Sequence, residues 1–236
     1  MSHDAAFEST RRKLVQALAG GAFMGASGAA TAQALGKVPR PLEAGKSFYE
    51  IKGEVQVNGQ PATLTTMVNA SDTITTGAGS HAIFVVGKDA FHLRNNSKLA
   101  LSGSDLLVGG LRLLTGALVS VFGRSGHTLS TPTATIGIRG TGVYTVVDEE
   151  KSYFCTCYGV TELSAANSPA NAAQSEVITS KHHDAPRYIL REGSKLIVPA
   201  PFVNHTDEEL MLIEALVGRK TPFSLFDDSY GGPRRY

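Results

Sequence analysis

Residues 72–103 read DTITTGAGSHAIFVVGKDAFHLRNNSKLALSG. Short alternations of apolar and polar residues are cut by Gly77–Ser80, by Gly87-Lys88-Asp89 and by Asn95-Asn96. A period of two places every second side chain on one face of a strand, while Gly and Asn supply the left-handed backbone that tight turns need. The run predicts three or four strands. Upstream, GEVQVNGQPAT (53–63) holds Asn58-Gly59, a strong hairpin dipeptide. Downstream, strands are expected around Leu111–Leu114 and Ala117–Phe122, and two or three more within 129–165 about a turn at Asp148–Lys151. Strands recurring about every 8–12 residues predict a mainly β fold of stacked short strands, solenoid-like or sandwich-like.

Beyond this block the pattern thins. Residues 164–176, SAANSPANAAQSE, are small and polar and predict a loop. A C-terminal extension, 177–236, is expected to add strands at Arg187–Arg191 and Lys195–Val198 around the Glu192-Gly193 turn. It also holds one short helix, 207–217. Thr206 and Glu209 form a capping box there, Leu210, Ile213 and Val217 share a face, and Gly218 suits the position after the last turn.

The N-terminus reads as an address. Arg11 and Arg12 lead into an uncharged Ala- and Gly-rich stretch that ends in Ala32-Gln33-Ala34, a small-x-small cleavage pattern. Residues 1–34 resemble a twin-arginine (Tat) signal peptide, which places the mature protein in the periplasm. A Sec signal or an uncleaved anchor are the alternatives, but Gln16, Ser27, Thr31 and Gln33 dilute the apolar run, so no stable membrane span is expected after cleavage. Residues 35–47 read as a linker. Removing residues 1–34 takes three basic and two acidic side chains, leaving 19 of each from 22 and 21. A balanced chain gives no electrostatic reason to bind nucleic acid.

The run Thr131-Pro132-Thr133-Ala134-Thr135-Ile136-Gly137-Ile138-Arg139-Gly140-Thr141 resembles the most recognisable motif of FecR-like domains. GEVQVNG, SDTITTGAGSHAIF, FHLRNNSKLAL and LRLLTGALVSVFG fit the same family in order, so the resemblance covers about residues 48–163. It implies a periplasmic β-rich module of signalling type that meets an envelope protein or a small ligand. Members of the family that act on a sigma factor carry a cytoplasmic segment and a membrane span first. Only ten residues precede the arginine pair here, so direct sigma-factor regulation is not expected. Within the motif, Arg139 stands beside Gly140 and Thr141 at a constrained point of the strand. It either bonds to nearby carbonyls or carboxylates or reaches a partner.

Both cysteines of the chain lie in SYFCTCYG, residues 152–159. On a strand Cys155 and Cys157 share a face with Tyr153, while Phe154 and Thr156 point the other way. A disulfide is difficult, since an extended strand separates residues two apart by about 6.5–7 Å between Cα atoms. Three readings stay open: buried apolar thiols, a strained disulfide, or ligands. His182 and His183 precede a strand that can return beside the cysteine strand. Two thiolates with one or two imidazoles form a tetrahedral set for zinc or iron. Adjacent histidines on a regular strand face opposite sides, so one ligates unless the backbone kinks. Asp184 is placed to orient an imidazole, and a solvated His182-His183 loop is the alternative. His205 reads as the residue before the helix cap. No motif with a catalytic mechanism is apparent, and a non-catalytic protein is expected.

Overall fold

Fourteen strands form one open, almost wholly antiparallel sheet in the computed structural model, which describes residues 39–124, 126–169 and 172–223. The first seven are short: β1 (Phe48–Lys52), β2 (Val55–Val57), β3 (Gln60–Pro61), β4 (Thr73–Thr76), β5 (His81–Val86), β6 (Asp89–Leu93) and β7 (Lys98–Ser104). Three long strands follow, β8 (Leu107–Val121), β10 (Ala134–Val147) and β11 (Lys151–Ala165), with the short β9 (Gly126–Ser130) between the first two. The extension supplies β12 (Ser175–Ser180), β13 (Arg187–Leu190) and β14 (Ile197–Pro199), then α1 (Asp207–Leu216), the one helix among the described residues.

The turn chemistry behaves as the sequence dictates. Asn58 and Gly59 both take positive φ (51° and 78°), the pair of values a two-residue hairpin of this hand requires. One expectation is corrected. The two strands expected at 111–114 and 117–122 are a single strand, β8, which bends at Gly116 (φ 83°) where Ser97 packs against the backbone. A glycine there relieves a close approach rather than ending the strand. The polar loop is also shorter than expected, because β11 runs on to Ala165 and β12 begins at Ser175.

The long strands make the sheet branch. The first half of β8 pairs with β7 and β9, and its second half with β6 and β10. β11 likewise pairs with β12 near one end and β13 near the other, so the extension belongs to the same sheet as the strands before it. Everything described from Pro39 onward forms one compact unit. The signal-peptide reading, with Arg11, Arg12 and Ala34, lies outside the described residues.

Two apolar layers follow from the alternation along these strands. The larger gathers Phe84, Phe91, Leu113, Leu129, Ile136 and Phe154 with residues of nearly every strand, and its last member is Ile197. The smaller lies on the opposite face. There Val119, Val121, Tyr144, Tyr153, Cys155 and Cys157 are covered by Leu210, Ile213 and Leu216 of α1 and by Phe223. Each side chain of this size buried from water stabilises the fold by about 1.5–3 kcal/mol before entropy is charged.

Candidate metal centre

The site begins with an irregularity in β10 and β11. Gly142 pairs with Tyr158, but Val143 pairs with Thr156, so Cys157 is an extra, unpaired residue in β11. A bulge of this kind breaks the alternation and re-aims a side chain. Cys155 and Cys157 face the smaller layer by ordinary alternation, and the bulge lets Tyr158 face it as well. The opposing strand bulges in turn between Arg139 and Gly142, with Gly140 at φ 56° and Gly159 at φ 94° across from it. A side chain on Gly142 would strike the Tyr158 ring, and one on Gly159 would strike Thr141. The Arg139-Gly140-Thr141 motif is therefore what admits the cysteine bulge. Arg139 itself is exposed, and its side chain makes no hydrogen bond or ion pair among the described residues.

The histidines arrive from two connections. After β12 the chain turns through His182 and His183. His183 takes a left-handed backbone (φ 54°) and donates its N–H to the Cys157 carbonyl at 2.8 Å. That kink frees the pair from strand geometry and turns the His183 ring toward the cysteines. Its Nδ1 lies 3.7 Å from Cys155 Sγ. His205 precedes the Thr206 cap of α1, as the sequence indicates, but its ring turns inward and stacks on Tyr144 at 4.5 Å. Its Nε2 lies 3.0 Å from His183 Nδ1.

Cys155, Cys157, His183 and His205 thus present four donor atoms within 4.8 Å of one another. Zinc–sulfur bonds of about 2.3 Å and zinc–nitrogen bonds of about 2.0–2.1 Å put neighbouring donors about 3.3–3.8 Å apart in a tetrahedron. The observed 3.7 Å and 3.0 Å require only a few tenths of an ångström of adjustment. Both thiols are free and fully buried, so the disulfide alternative is not what the structure adopts.

The surrounding groups fix the imidazoles. His183 Nε2 donates to Asp207 Oδ1 at 2.8 Å and His205 Nδ1 donates to the Val203 carbonyl at 2.8 Å. A neutral ring held this way offers its other nitrogen toward the cysteines, the arrangement typical of metal-bound histidine. Asp207, the first residue of α1, fills the orienting role that the sequence suggested for Asp184. The Asp184 carboxylate instead accepts the Lys181 backbone N–H at 2.9 Å. His182 stands apart from the four donors. Its Nε2 lies 3.0 Å from both oxygens of Asp207, and its side chain is 34% exposed against 8% for His183.

Charge in the site is concentrated on Cys155 and His183. The Cys157 thiol beside it, with His183 and His205, outweighs burial and holds the Cys155 thiol well below its usual range. Burial and the neighbouring Cys155 push Cys157 up, because a second thiolate would face the first in a dry site. Burial would lower His183, but Asp207 and Cys155 together raise it. Cys155, His183 and Asp207 also line up as a nucleophile, base and orienting carboxylate. Cys155 is 0% exposed in this arrangement.

No family model matches the sequence, and no match is found among curated proteins. Two crystal structures of a protein from Parabacteroides distasonis ATCC 8503, described as a "putative anti-sigma factor", are similar to this chain at 11% identity and a TM-score of 0.43. The similarity covers 54% of this chain and 58% of the length of that one.

His205 and Asp207 are the residues that sequence reasoning missed. The signal available was their spacing: two ligand-type side chains flanking a cap residue, on a helix start that must pack somewhere. Nothing in the sequence says that this somewhere is the cysteine face.

Proposed function

We propose that this protein is an exported, non-catalytic β module of the cell envelope that binds one tetrahedral metal ion, zinc above all, through Cys155, Cys157, His183 and His205. One observation carries the metal reading. His183 Nδ1 and His205 Nε2 lie 3.0 Å apart while the other nitrogen of each ring already donates to an acceptor. Two nitrogens this close in a buried site share either a proton or a metal cation, and the two buried sulfurs within 4.8 Å of them favour the metal. Two sulfur donors complete the set, and a closed Cys₂His₂ shell leaves no open position for substrate, the pattern of structural rather than catalytic zinc. Iron is the second candidate for the same donors.

The periplasmic placement rests on Arg11, Arg12 and Ala34, and the signalling character on the resemblance of residues 48–163 to FecR-like domains. An envelope protein or small ligand is the partner class this implies. Export in a folded state also suits the site, since a metal loaded beforehand protects thiolates from oxidation outside the cytoplasm.

The test is metal analysis of the mature protein isolated without metal-affinity resin, with thiols counted on the same sample. One equivalent of zinc or iron, and two thiols that react only after chelation, is the expected result. Metal-free protein that fails to take up zinc or iron with its thiols reduced would overturn the reading.

A further inference from the structure

The last residue that contributes to the larger apolar layer is Ile197. Residues 200–223 contribute only to the smaller one, through Leu210, Ile213, Leu216 and Phe223, with Ala200, Val203, Leu212 and Val217 at its margin. The sheet therefore has a core that owes nothing to this segment, and the segment is a cover laid on its other face. Resting on the metal reading above, we infer that residues 200–223 are a strap that the metal holds closed.

The ties along the strap differ in kind. Near α1's end, the Leu216 carbonyl accepts the Leu42 N–H at 2.9 Å, Arg219 donates to the Lys88 carbonyl at 2.5 Å, and Tyr158 bonds to Glu214. In the middle, Arg94 holds both oxygens of Glu209 at 2.6 and 2.7 Å. At the start, the Val203 N–H reaches the Tyr153 hydroxyl at 3.4 Å and the Ala200 N–H the Pro186 carbonyl at 2.9 Å, while the side-chain ties are His205 and Asp207, which both lead to the four-donor site. Three of its donors, Cys155, Cys157 and His183, belong to the sheet side, and only His205 belongs to the strap. The ion bridges strap and sheet.

Removing the ion acts on this one end. It takes away the bonds that tie His205 to the two cysteines and leaves a single His205–His183 contact at 3.0 Å beside two buried thiols. The backbone is set for such a swing: Asn204, next to His205, already holds a left-handed conformation (φ 59°), and Phe202 packs against the His205 ring while 43% exposed. Opening uncovers Val119, Tyr144 and Tyr153 but leaves the larger layer intact. Metal occupancy thus controls whether an aromatic sheet face is hidden or shown.

Amide hydrogen exchange of the full mature chain tests this, with metal content measured on each sample. Chelation should speed exchange at 205–216 by about tenfold or more, leave amides of β8, β10 and β11 within about twofold, and be reversed by added zinc. His205→Gln, which keeps the three sheet-side donors, should open the strap even with zinc present. If zinc leaves and 205–216 exchange as before, the strap inference falls while the metal reading stands. If the whole sheet loosens together, the ion is a general fold staple and the strap inference also falls. If the mature protein neither contains nor takes up metal, both fall.

Discussion

His205 Nε2 and His183 Nδ1 face each other at 3.0 Å across two connections that are 22 residues apart in the chain. Each ring is held from behind, His205 by the Val203 carbonyl and His183 by Asp207. This pairing predicts a sharp contrast between neighbouring histidines. His205→Ala removes a ligand and should weaken zinc binding by more than the roughly 100-fold that marks the upper end of outer-sphere effects. His182→Ala, which removes only a second donor to Asp207, should stay within about tenfold. Competition titration with a chromophoric chelator measures both. Equal losses would mean that His205 is no more a ligand than His182 is.

Asp207 touches no cysteine, yet it holds the His183 ring in place and starts α1. The two imidazoles it accepts from outweigh its burial and hold its carboxyl below the usual range. Asp207→Asn keeps the size and can still accept a hydrogen bond but removes the charge. Zinc affinity should fall by about 10–100-fold with one ion still bound at saturation. The cobalt-substituted protein should keep its sulfur-to-metal charge-transfer band, since neither sulfur moves. Loss of that band would show that Asp207 shapes the donor set instead of tuning it.

Much of the fold was legible because its signals are local. Asn58-Gly59 specifies its hairpin by backbone chemistry alone, and Thr206 with Glu209 specifies the start of α1. The shared face of Cys155 and Cys157 also follows from strand periodicity. What was not legible depends on tertiary placement. The bulge at Cys157 arises from two strands disagreeing in register, and no single strand encodes a register. His205 looked like a helix-flanking residue and is one; its ligand role comes from where α1 docks. Asp184 and Asp207 have the same chemistry, and only the fold decides which carboxylate reaches His183.

Glu209 gives a pH dependence separate from the metal. Burial would raise its carboxyl, but His92 and Arg94 together outweigh burial and pull it down to about 2. A depressed folded-state value stabilises above the unfolded value near 4.5 and loses that contribution as pH falls through the window toward 2. The stability gap between wild type and Glu209→Gln should therefore be widest above pH ~5 and close progressively below it. Denaturant unfolding of both proteins across that range, each stripped of metal, reads the gap. A gap that stays constant down to pH ~2.5 would remove the Arg94–Glu209 pair as the cause.

On the proposed signal-peptide reading, Arg11 and Arg12 set the route of export. Replacing both with lysine keeps charge but removes the paired guanidinium signal, so uncleaved precursor should accumulate in the cytoplasm. Fractionation with a size shift on cleavage reports this directly. Normal maturation of the double variant would assign export to the Sec route, and the protein would then have to acquire its metal outside.

Gly159 tests the link between the glycine-rich motif and the site. It holds φ 94° beside Thr141, and a methyl group there would meet the Thr141 side chain and the Gly140 carbonyl. The left-handed backbone costs a non-glycine residue about 1–2 kcal/mol, and crowding a packed position adds about 1–3 kcal/mol. Gly159→Ala should then destabilise the protein by about 2–5 kcal/mol and lower Tm by roughly 4–20 °C. Because relief of the clash moves β11 at the bulge, the variant should also lose zinc affinity, although residue 159 bears no ligand. Arg139→Ala, which removes an exposed side chain unbonded among the described residues, should leave both Tm and affinity near wild type. If Gly159→Ala melts early but binds zinc as wild type does, the bulge is not what sets the Cys157 position.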